Sequence, residues 1–321
     1  MVVFGLLVSG PFEGARTQTG WNPDQQLDDR ARGRELARKA REAISVSSIR
    51  AQFTTLSATG KLRRFVKYVS VQSPTKIENK ERTLNGKMEL DFVFPDKFRR
   101  RVSNSSLSGY TYTYTEVING EIAFRNPPPP ILSSRGDQRV IDVDDVERSQ
   151  AKYAQDARQN LSFYSLGWLM DAPSSYPVDF IYAGRVTDHG RTDEALIVEA
   201  PEGFRPILLI DPETFLPSGW IVAYVDVKRT PVIVEVASVS RAYISETYAR
   251  ARREREARRL PAARRELLWR FSDHEIVEGL RLPHKITTRL DGDLLEELII
   301  SDFKVNGQID AKKFEGRPQV R

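Results

Sequence analysis

The residue types that carry out nucleophilic or thiol chemistry are scarce in this chain. Its 321 residues include no cysteine, which excludes disulfides, thiolate metal sites and cysteine nucleophiles. Ser73 and Lys76 match the Ser-x-x-Lys spacing of penicillin-type enzymes, but Ser73 precedes a proline in a polar turn and the companion motifs are missing. Acyl-transfer chemistry therefore has no support in these residues.

Metal and acid–base sites need clustered ligands or carboxylates, and the sequence offers few clusters. No two of the three histidines (His189, His274 and His284) have a spacing that puts both on one helix face, although the last two could meet across a hairpin. No glycine-rich phosphate loop is present. Three acidic pairs are better interpreted as a helix cap, a turn and a solvent-facing strand edge: Asp144–Asp145, Asp193–Glu194 and Glu296–Glu297. We therefore expect no cofactor, no metal and no catalysis.

Positive charge is concentrated in one stretch of the chain. The formal net charge is +5, and much of the excess lies within an arginine-rich segment, 246–266, that we expect to form a helical insertion broken at Pro261. Its arginines, among them Arg252, Arg255 and Arg259, could contact an anionic membrane surface. Nucleic acid is disfavoured because no aromatic residue is interleaved with the charge. A plain solvated insertion is the alternative.

Most of the remaining chain has the two-residue period of β-strands. Met88, Leu90, Phe92 and Phe94 alternate with other residues before a Pro-Asp-Lys turn, which predicts a strand with one buried face and a hairpin. Further strands separated by turn residues are predicted at 178–187, 193–200, 204–211, 215–226, 231–242, 268–277, 282–290 and 294–305. Sequential hairpins indicate a mainly antiparallel sheet.

Two segments have helical periodicity. A helix is predicted from a cap at Asp28 or Asp29 to Ile44, and a second begins at Asp144–Asp145 and stops before Pro173. The second carries a stripe of Tyr153, Ala157, Leu161, Tyr164 and Trp168, and it is wholly apolar towards its end. That end could simply cover the sheet, or it could line an apolar ligand pocket formed by Leu161, Phe163, Tyr164, Leu166, Trp168, Leu169 and Met170.

The organisation of the chain follows from these segments. An apolar run near the start, followed by small residues, predicts a truncated signal peptide over 1–15, although it is too short to span a bilayer, which takes about 20 residues. A linker over 16–27 and a single domain over 28–318 follow. Four consecutive prolines place an exposed loop at 126–142.

Several of these hairpins resemble those of one known family. The stretches MELDFVFPDKFRRRV (88–102) and LLIDPETFLP (208–217), and the closing strands 269–314 with Asn306, Ile309, Asp310 and Phe314, are similar to segments of LolA/LolB-like outer-membrane lipoprotein-sorting proteins. The resemblance covers most of residues 30–316. It implies an α+β, mainly antiparallel fold: an unclosed β-barrel or curved sheet with helices covering its concave face.

The resemblance also implies a function. Members of this family bind and transfer acylated ligands in the periplasm and catalyse nothing. For this chain it implies an exported carrier or chaperone whose partners are lipid or lipoprotein acyl chains, with envelope proteins or an anionic membrane surface as further partners. A regulatory or protein-interaction module on the same fold is the alternative.

Overall fold

The computed structural model describes residues 23–45, 49, 52–73, 76–106, 109–120, 122–126, 143–172, 176–225, 234–236 and 264–315. They form two long helices, α1 (Pro23–Ile44) and α2 (Val143–Leu169), and 3-10 turns at Pro201–Gly203 and Ala311–Phe314. Thirteen strands complete the described structure: β1 (Thr55–Ser73), β2 (Lys76–Val93), β3 (Lys97–Ser105), β4 (Thr111–Asn119), β5 (Ile122–Asn126), β6 (Asp179–Asp188), β7 (Arg191–Glu199), β8 (Ile207–Ile210), β9 (Pro217–Val225), β10 (Val234–Val236), β11 (Arg264–Val277), β12 (Leu280–Leu290) and β13 (Asp293–Val305).

Twelve of the strands form one antiparallel sheet that does not close into a barrel. Its order is β5-β4-β3-β2-β1-β13-β12-β11-β9-β8-β7-β6, and β10 pairs in parallel with β1. Each neighbour in this order is the preceding or following strand of the sequence, except where β1 meets β13 and where β11 meets β9. The antiparallel, mostly β class predicted from the hairpins is therefore confirmed.

The sheet is strongly curved around α2. The ring centroid of Tyr164 lies 6.3 Å from that of Phe98 on β3 and 5.6 Å from that of Trp269 on β11. Phe98 and Trp269 are therefore no more than about 12 Å apart. Five strand spacings separate β3 from β11, which amounts to about 24 Å in a flat sheet. Helix α2 therefore lies on the concave face, as the resemblance implied.

The longest hairpin contains a glycine inside a strand. The residues on either side of Gly60 belong to one continuous strand, β1, whose pairing with β13 shifts register between Thr59 and Gly60. A Cβ atom at Gly60 would lie 2.6 Å from the carbonyl oxygen of Ile299, so a side chain has no room there. Gly60 therefore marks a β-bulge within β1.

Helix α1 packs directly against β6, one end of the sheet. Its buried face consists of Leu36, Ala37, Ala40 and Ile44. At Gly33 a Cβ atom would lie 2.5 Å from the carbonyl oxygen of Phe180, so only glycine permits this approach. The helix begins at Pro23 rather than at Asp28 or Asp29, because proline is well tolerated in the first turn of a helix.

The closing motif of the sequence fastens the C-terminal segment to the convex face. Asn306 accepts hydrogen bonds from the backbone N–H of Thr54 (2.9 Å) and from its hydroxyl group (3.2 Å). Asp310 caps the last 3-10 turn by accepting from the backbone N–H of Lys312. Phe314 is then buried with Val117 and Phe124 in a small separate cluster.

Some predicted segments have different limits or fall outside the described residues. Strand β11 begins at Arg264, so the last three residues of the predicted helical insertion, 264–266, belong to a strand instead. The remainder of that insertion, including Arg252, Arg255 and Arg259, lies outside the described residues. So do the predicted signal peptide (1–15) and the proline loop, apart from Asn126, the last residue of β5.

Candidate ligand-binding site

The C-terminal half of α2 is buried on all sides. Each of the seven residues predicted to line an apolar pocket has at most 7% of its surface exposed: Leu161, Phe163, Tyr164, Leu166, Trp168, Leu169 and Met170. A helix that is apolar all round must be enclosed by other elements. Here the enclosure is the curved sheet together with the end of α1, where Arg41 donates to the carbonyl oxygen of Met170 (2.9 Å).

Aromatic rings from both halves of the sheet converge on this helix. Phe163 contacts Trp220 and Trp269, with ring centroids 5.3 and 5.1 Å apart, on the β9–β11 side. Trp168 contacts Phe92 on β2 and Phe303 on β13, at 6.0 and 5.5 Å. Rings at these separations interact favourably beyond the area that they bury. The C-terminal half of α2 therefore fills the concave face. We call this segment, residues 161–170, the aromatic wedge.

Two features hold the wedge close to the sheet. The indole N–H of Trp220 donates to the backbone carbonyl of Phe163 across 3.1 Å. One turn later, a Cβ atom at Gly167 would lie 2.6 Å from the ring of Phe271, so glycine is needed for this close approach. Neither contact was predicted from the sequence, because both depend on which strands face α2.

A polar cluster lies beside the aromatic wedge on the same face of the sheet. Arg100 on β3 pairs with Glu116 on β4 across 2.9 Å, and both side chains are largely buried. Asn160 of α2 donates to Glu116 (3.2 Å), and Arg100 donates to the hydroxyl of Tyr114 (3.2 Å). Burial disfavours the charged form of Arg100, but Glu116 and the neighbouring acidic groups outweigh it and raise the arginine pKa.

A second pair continues this polar cluster along β1 and β13. Glu296 lies 3.5 Å from Arg64, which also donates to the hydroxyl of Tyr112 (2.9 Å). Burial raises the pKa of Glu296, although Arg64 and Arg100 act in the opposite direction. The prediction that Glu296 and Glu297 form a solvent-facing strand edge is therefore wrong, because β13 lies between β1 and β12. Glu296 lies half-buried on the concave face, and Glu297 is largely buried on the convex face.

Two polar atoms within the wedge have no hydrogen-bond partner among the described residues. They are the hydroxyl of Ser165 and the indole nitrogen of Trp168, and both residues are at most 1% exposed. Buried donors without partners are rare, because each loses its hydrogen bonds to water. A polar group that entered between α2 and the sheet could satisfy them.

A shallow opening leads towards the end of the wedge. It lies where the C-terminal ends of α1 and α2 meet the start of β12, and it is lined by Ile44, Ser45, Phe53, Leu169, Asp171 and Leu280. In this structure the predicted pocket residues are packed against one another and against the sheet. They provide an apolar surface for a ligand only if the aromatic wedge moves.

The residues considered for catalysis are dispersed. His274 and His284 do not face each other across the β11–β12 hairpin, because Pro283 is the partner of His274 and successive strand residues alternate faces. Burial lowers the pKa of His274. Ser73 and Lys76 pair at the tip of the β1–β2 hairpin. Within the described part of the chain, no three metal-ligating side chains gather in one place.

The acidic pair at 193 and 194 is structural. Asp193 does not lie in a turn, as predicted, but in strand β7, where its carboxylate is fully buried. It accepts hydrogen bonds from Arg270 (2.6 Å) and from the hydroxyl of Ser218 (2.8 Å). Glu194 accepts from Tyr182 (2.5 Å) and Arg185 (2.9 Å). Both carboxylates are therefore engaged in hydrogen bonds within the fold.

An open antiparallel sheet with two helices on its concave side is the architecture of LolA-like proteins, which the sequence motifs resemble. No family model and no curated protein matches the sequence. Among the solved structures that are similar to this protein, three are matched over most of their own length and over most of this chain. An outer membrane lipoprotein-sorting protein domain from Vibrio parahaemolyticus has 8% identity and a TM-score of 0.43, and covers 89% of this chain and 97% of its own.

The other two structures are similarly distant. A LolA superfamily protein from Nitrosomonas europaea has 11% identity and a TM-score of 0.42, and the match covers 88% of this chain and 97% of that one. A DUF1329 family protein from Desulfovibrio piger has 10% identity and a TM-score of 0.36, with 89% and 97% coverage.

Within the residues described, neither α1 nor α2 contains an apolar stretch long enough to cross a bilayer.

Proposed function

We propose that this protein is a non-catalytic carrier of apolar or acylated ligands, such as a lipid or the acyl chains of a lipoprotein. The ligand would occupy the concave face of the sheet in place of the aromatic wedge of α2. The observation that carries the proposal is the contact of Tyr164 with both halves of the sheet, through Phe98 and Trp269. A single helix end thereby fills a concave apolar surface.

The contacts of the wedge suit an exchange with an acyl chain. Most of them are between apolar groups, which have no directional preference and can be replaced by methylene groups. Burying an acyl chain stabilises by about 0.8 kcal/mol per CH₂, or about 12 kcal/mol for a sixteen-carbon chain. Burying one large apolar side chain is worth roughly 1.5–3 kcal/mol. Displacing about five wedge residues is therefore of the same magnitude as binding one chain.

The polar groups of the site favour binding over catalysis. Arg100 and Glu116 are paired with each other, and Asn160 is hydrogen-bonded to the same carboxylate. Neither of these two contacts joins a nucleophile to a base, which a hydrolytic mechanism would need. The unpartnered hydroxyl of Ser165 and indole of Trp168 could receive a polar group of the ligand.

We place this carrier in the bacterial envelope, exported to the periplasm and at most peripheral to a membrane. The support is the resemblance of its hairpin and closing motifs to those of LolA-like proteins. The same resemblance allows a second candidate function, a regulatory or protein-interaction module of the envelope. Among the described residues, no contact independently supports this second candidate.

The proposal is tested by looking for bound lipid and by measuring binding. The full chain is purified without detergent and examined by native mass spectrometry, then delipidated and titrated with a fluorescent fatty acid. We expect co-purified acyl lipid and saturable binding that an unlabelled sixteen-carbon fatty acid displaces. Protein without bound lipid that also fails to bind the probe would overturn the carrier proposal and leave the interaction module.

A further inference from the structure

The convex face of the sheet carries positive charge that its own carboxylates do not balance. Lys61 on β1 and Lys87 on β2 are direct cross-strand partners, so their side chains lie on the same face. Both are exposed, and neither has an ion-pair partner among the residues that the structure describes. Like charges placed directly opposite each other destabilise a sheet, so this pair has no role in stability.

The pair lies within a row that crosses four neighbouring strands. Lys61 is also the partner of Ile299 on β13, and Ile299 is the partner of Lys285 on β12. Ile299 is 40% exposed although residues on either side of it, Leu298 and Ile300, are buried on the concave face. The row therefore consists of three lysines and one exposed isoleucine, all pointing away from the ligand site.

On the rest of the convex face, the carboxylates are fewer than the cations with which they pair. Glu297 pairs with Arg63 (2.9 Å) and with Lys285 (3.1 Å). The hydrogen bond from Arg63, together with Lys285, keeps the pKa of Glu297 below its ordinary value. This carboxylate is therefore fully ionised and already engaged by two cations.

Two further carboxylates follow the same pattern. Glu89 pairs with Arg99 (3.3 Å) and Arg101 (3.6 Å). Asp91 pairs with Arg99 (2.7 Å) and Lys313 (3.2 Å). Three carboxylates thus serve five cations, and Lys61 and Lys87 add two more. The exposed Asp302 on β13 is a fourth carboxylate on this face, so the cations still outnumber the carboxylates by seven to four. We define the seven cations and Ile299 as the convex basic patch: Lys61, Arg63, Lys87, Arg99, Arg101, Lys285, Lys313 and Ile299.

We propose that the convex basic patch docks the protein on an anionic lipid surface. The patch spans the five strands from β3 to β12, about 20 Å, and roughly three residue rows along them. That area is well below the roughly 800 Å² per partner of a stable protein–protein interface. It does suit weak, reversible attraction to anionic headgroups, in which each lysine acts as a point charge and an exposed isoleucine reaches the interface.

This docking is independent of the proposed acyl binding, because it uses the opposite face of the sheet. A lysine close to an anionic bilayer strengthens binding about fivefold at low ionic strength. Removing two lysines should therefore weaken binding on the order of 25-fold. The effect should shrink as salt screens the charges.

The test is sedimentation with lipid vesicles. The full chain is mixed with vesicles of phosphatidylcholine alone or with 30–40% phosphatidylserine, on the order of a physiological anionic leaflet. Lys61→Gln/Lys87→Gln is compared with Lys39→Gln/Arg205→Gln, which lowers the net charge equally but lies away from the patch. Fluorescent fatty acid binding is measured in parallel and should be unchanged in both variants.

The expected result is salt-sensitive binding to anionic vesicles alone, strongly weakened by the patch variant and nearly unchanged by its control. Equal weakening in both double variants would show that only net charge matters and would overturn the proposal. So would wild-type protein that ignores anionic vesicles, which would point to an acidic protein partner instead. Wild-type protein that binds anionic vesicles but does not bind the fatty acid would contradict the carrier proposal only.

Discussion

Trp220 on β9 holds the backbone of α2 by a hydrogen bond from its indole N–H to the carbonyl oxygen of Phe163, 3.1 Å away. The same two residues stack edge to face, with ring centroids 5.3 Å apart. This link ties the aromatic wedge to the β9–β11 half of the sheet. Together with the hydrogen bond from Arg41 to the carbonyl oxygen of Met170, it is a directional contact that must break if an acyl chain is to take the place of the wedge.

Replacing Trp220 by phenylalanine should weaken this link while keeping an aromatic ring at the position. The loss of a buried hydrogen bond and of part of the ring should lower the free energy of unfolding by about 1–3 kcal/mol. Because α2 competes with the ligand for the concave face, the affinity for a fatty acid should rise. Urea unfolding and fluorescent fatty acid titration measure the two effects, and a lower affinity would argue against competition.

Gly167→Ala should prevent α2 from lying as close to β11. The added methyl group would lie 2.6 Å from the ring of Phe271, so either the ring or the helix must shift. Overpacking of this kind costs roughly 1–3 kcal/mol, against a gain in helix propensity of about 1 kcal/mol from removing glycine. The control is Gln159→Ala, a substitution at a half-buried position of the same helix. The net expectation is a loss of up to about 2 kcal/mol, and increased stability of Gly167→Ala would contradict this packing.

The Arg100–Glu116 pair should show strong coupling between its two members. Arg100→Met leaves the buried carboxylate of Glu116 without its cation, which should cost about 3–5 kcal/mol of stability. Arg100→Met/Glu116→Leu should cost clearly less than the two single changes together, since no buried charge is left unpaired. Chemical unfolding of all four proteins gives the coupling. Additive effects would mean that the two charges do not depend on each other.

Glu296 should make stability fall as pH rises through its titration. Burial raises its pKa above the ordinary value of 4.5, so the native state holds the proton more tightly than the unfolded chain. This contribution to stability is therefore fully present below pH 4.5 and is lost as pH rises through the raised pKa. Arg64, Arg100 and Tyr164 are the charged and titratable groups that surround it.

Glu296→Gln isolates this effect, because glutamine is close in shape and does not titrate. The variant should lack the part of the pH dependence that lies above pH 4.5. Urea unfolding of both proteins at a series of pH values measures the difference. Identical pH profiles would show that Glu296 titrates alike in the folded and unfolded chain.

Much of the sheet was predictable because turn residues separate its strands and because apolar residues recur at every second position in segments such as 88–94. Predicted strands at 178–187 and 282–290 correspond to β6 (Asp179–Asp188) and β12 (Leu280–Leu290) within two residues. Turn glycines such as Gly279 and Gly292, which adopt positive φ angles, mark the ends of these hairpins. Gly60, by contrast, lies inside β1, because a bulge can use the same residue type as a turn.

The site was only half predictable, for a different physical reason. Helical spacing was sufficient to place Leu161, Tyr164 and Trp168 on one stripe of α2. It could not identify Trp220, Phe271 or Phe303 as the opposing surface, because that depends on how far the sheet curves. The pairing of Arg100 with Glu116 depends in the same way on the register between β3 and β4.

Displacement of the aromatic wedge by a ligand can be measured directly, because the protein contains no cysteine. Ser165→Cys places a single thiol on α2 at a position that is 1% exposed. Ala195→Cys, buried on the opposite face of the sheet, controls for general unfolding, and exposed Ser301→Cys gives the rate of a free thiol.

The measurement is the rate at which these thiols react with a maleimide reagent, with and without a saturating sixteen-carbon fatty acid. We expect Ser165→Cys to be protected in the free protein and to become many-fold more reactive when the fatty acid binds, while Ala195→Cys stays protected. Fatty acid binding that leaves Ser165→Cys protected would contradict displacement of the wedge.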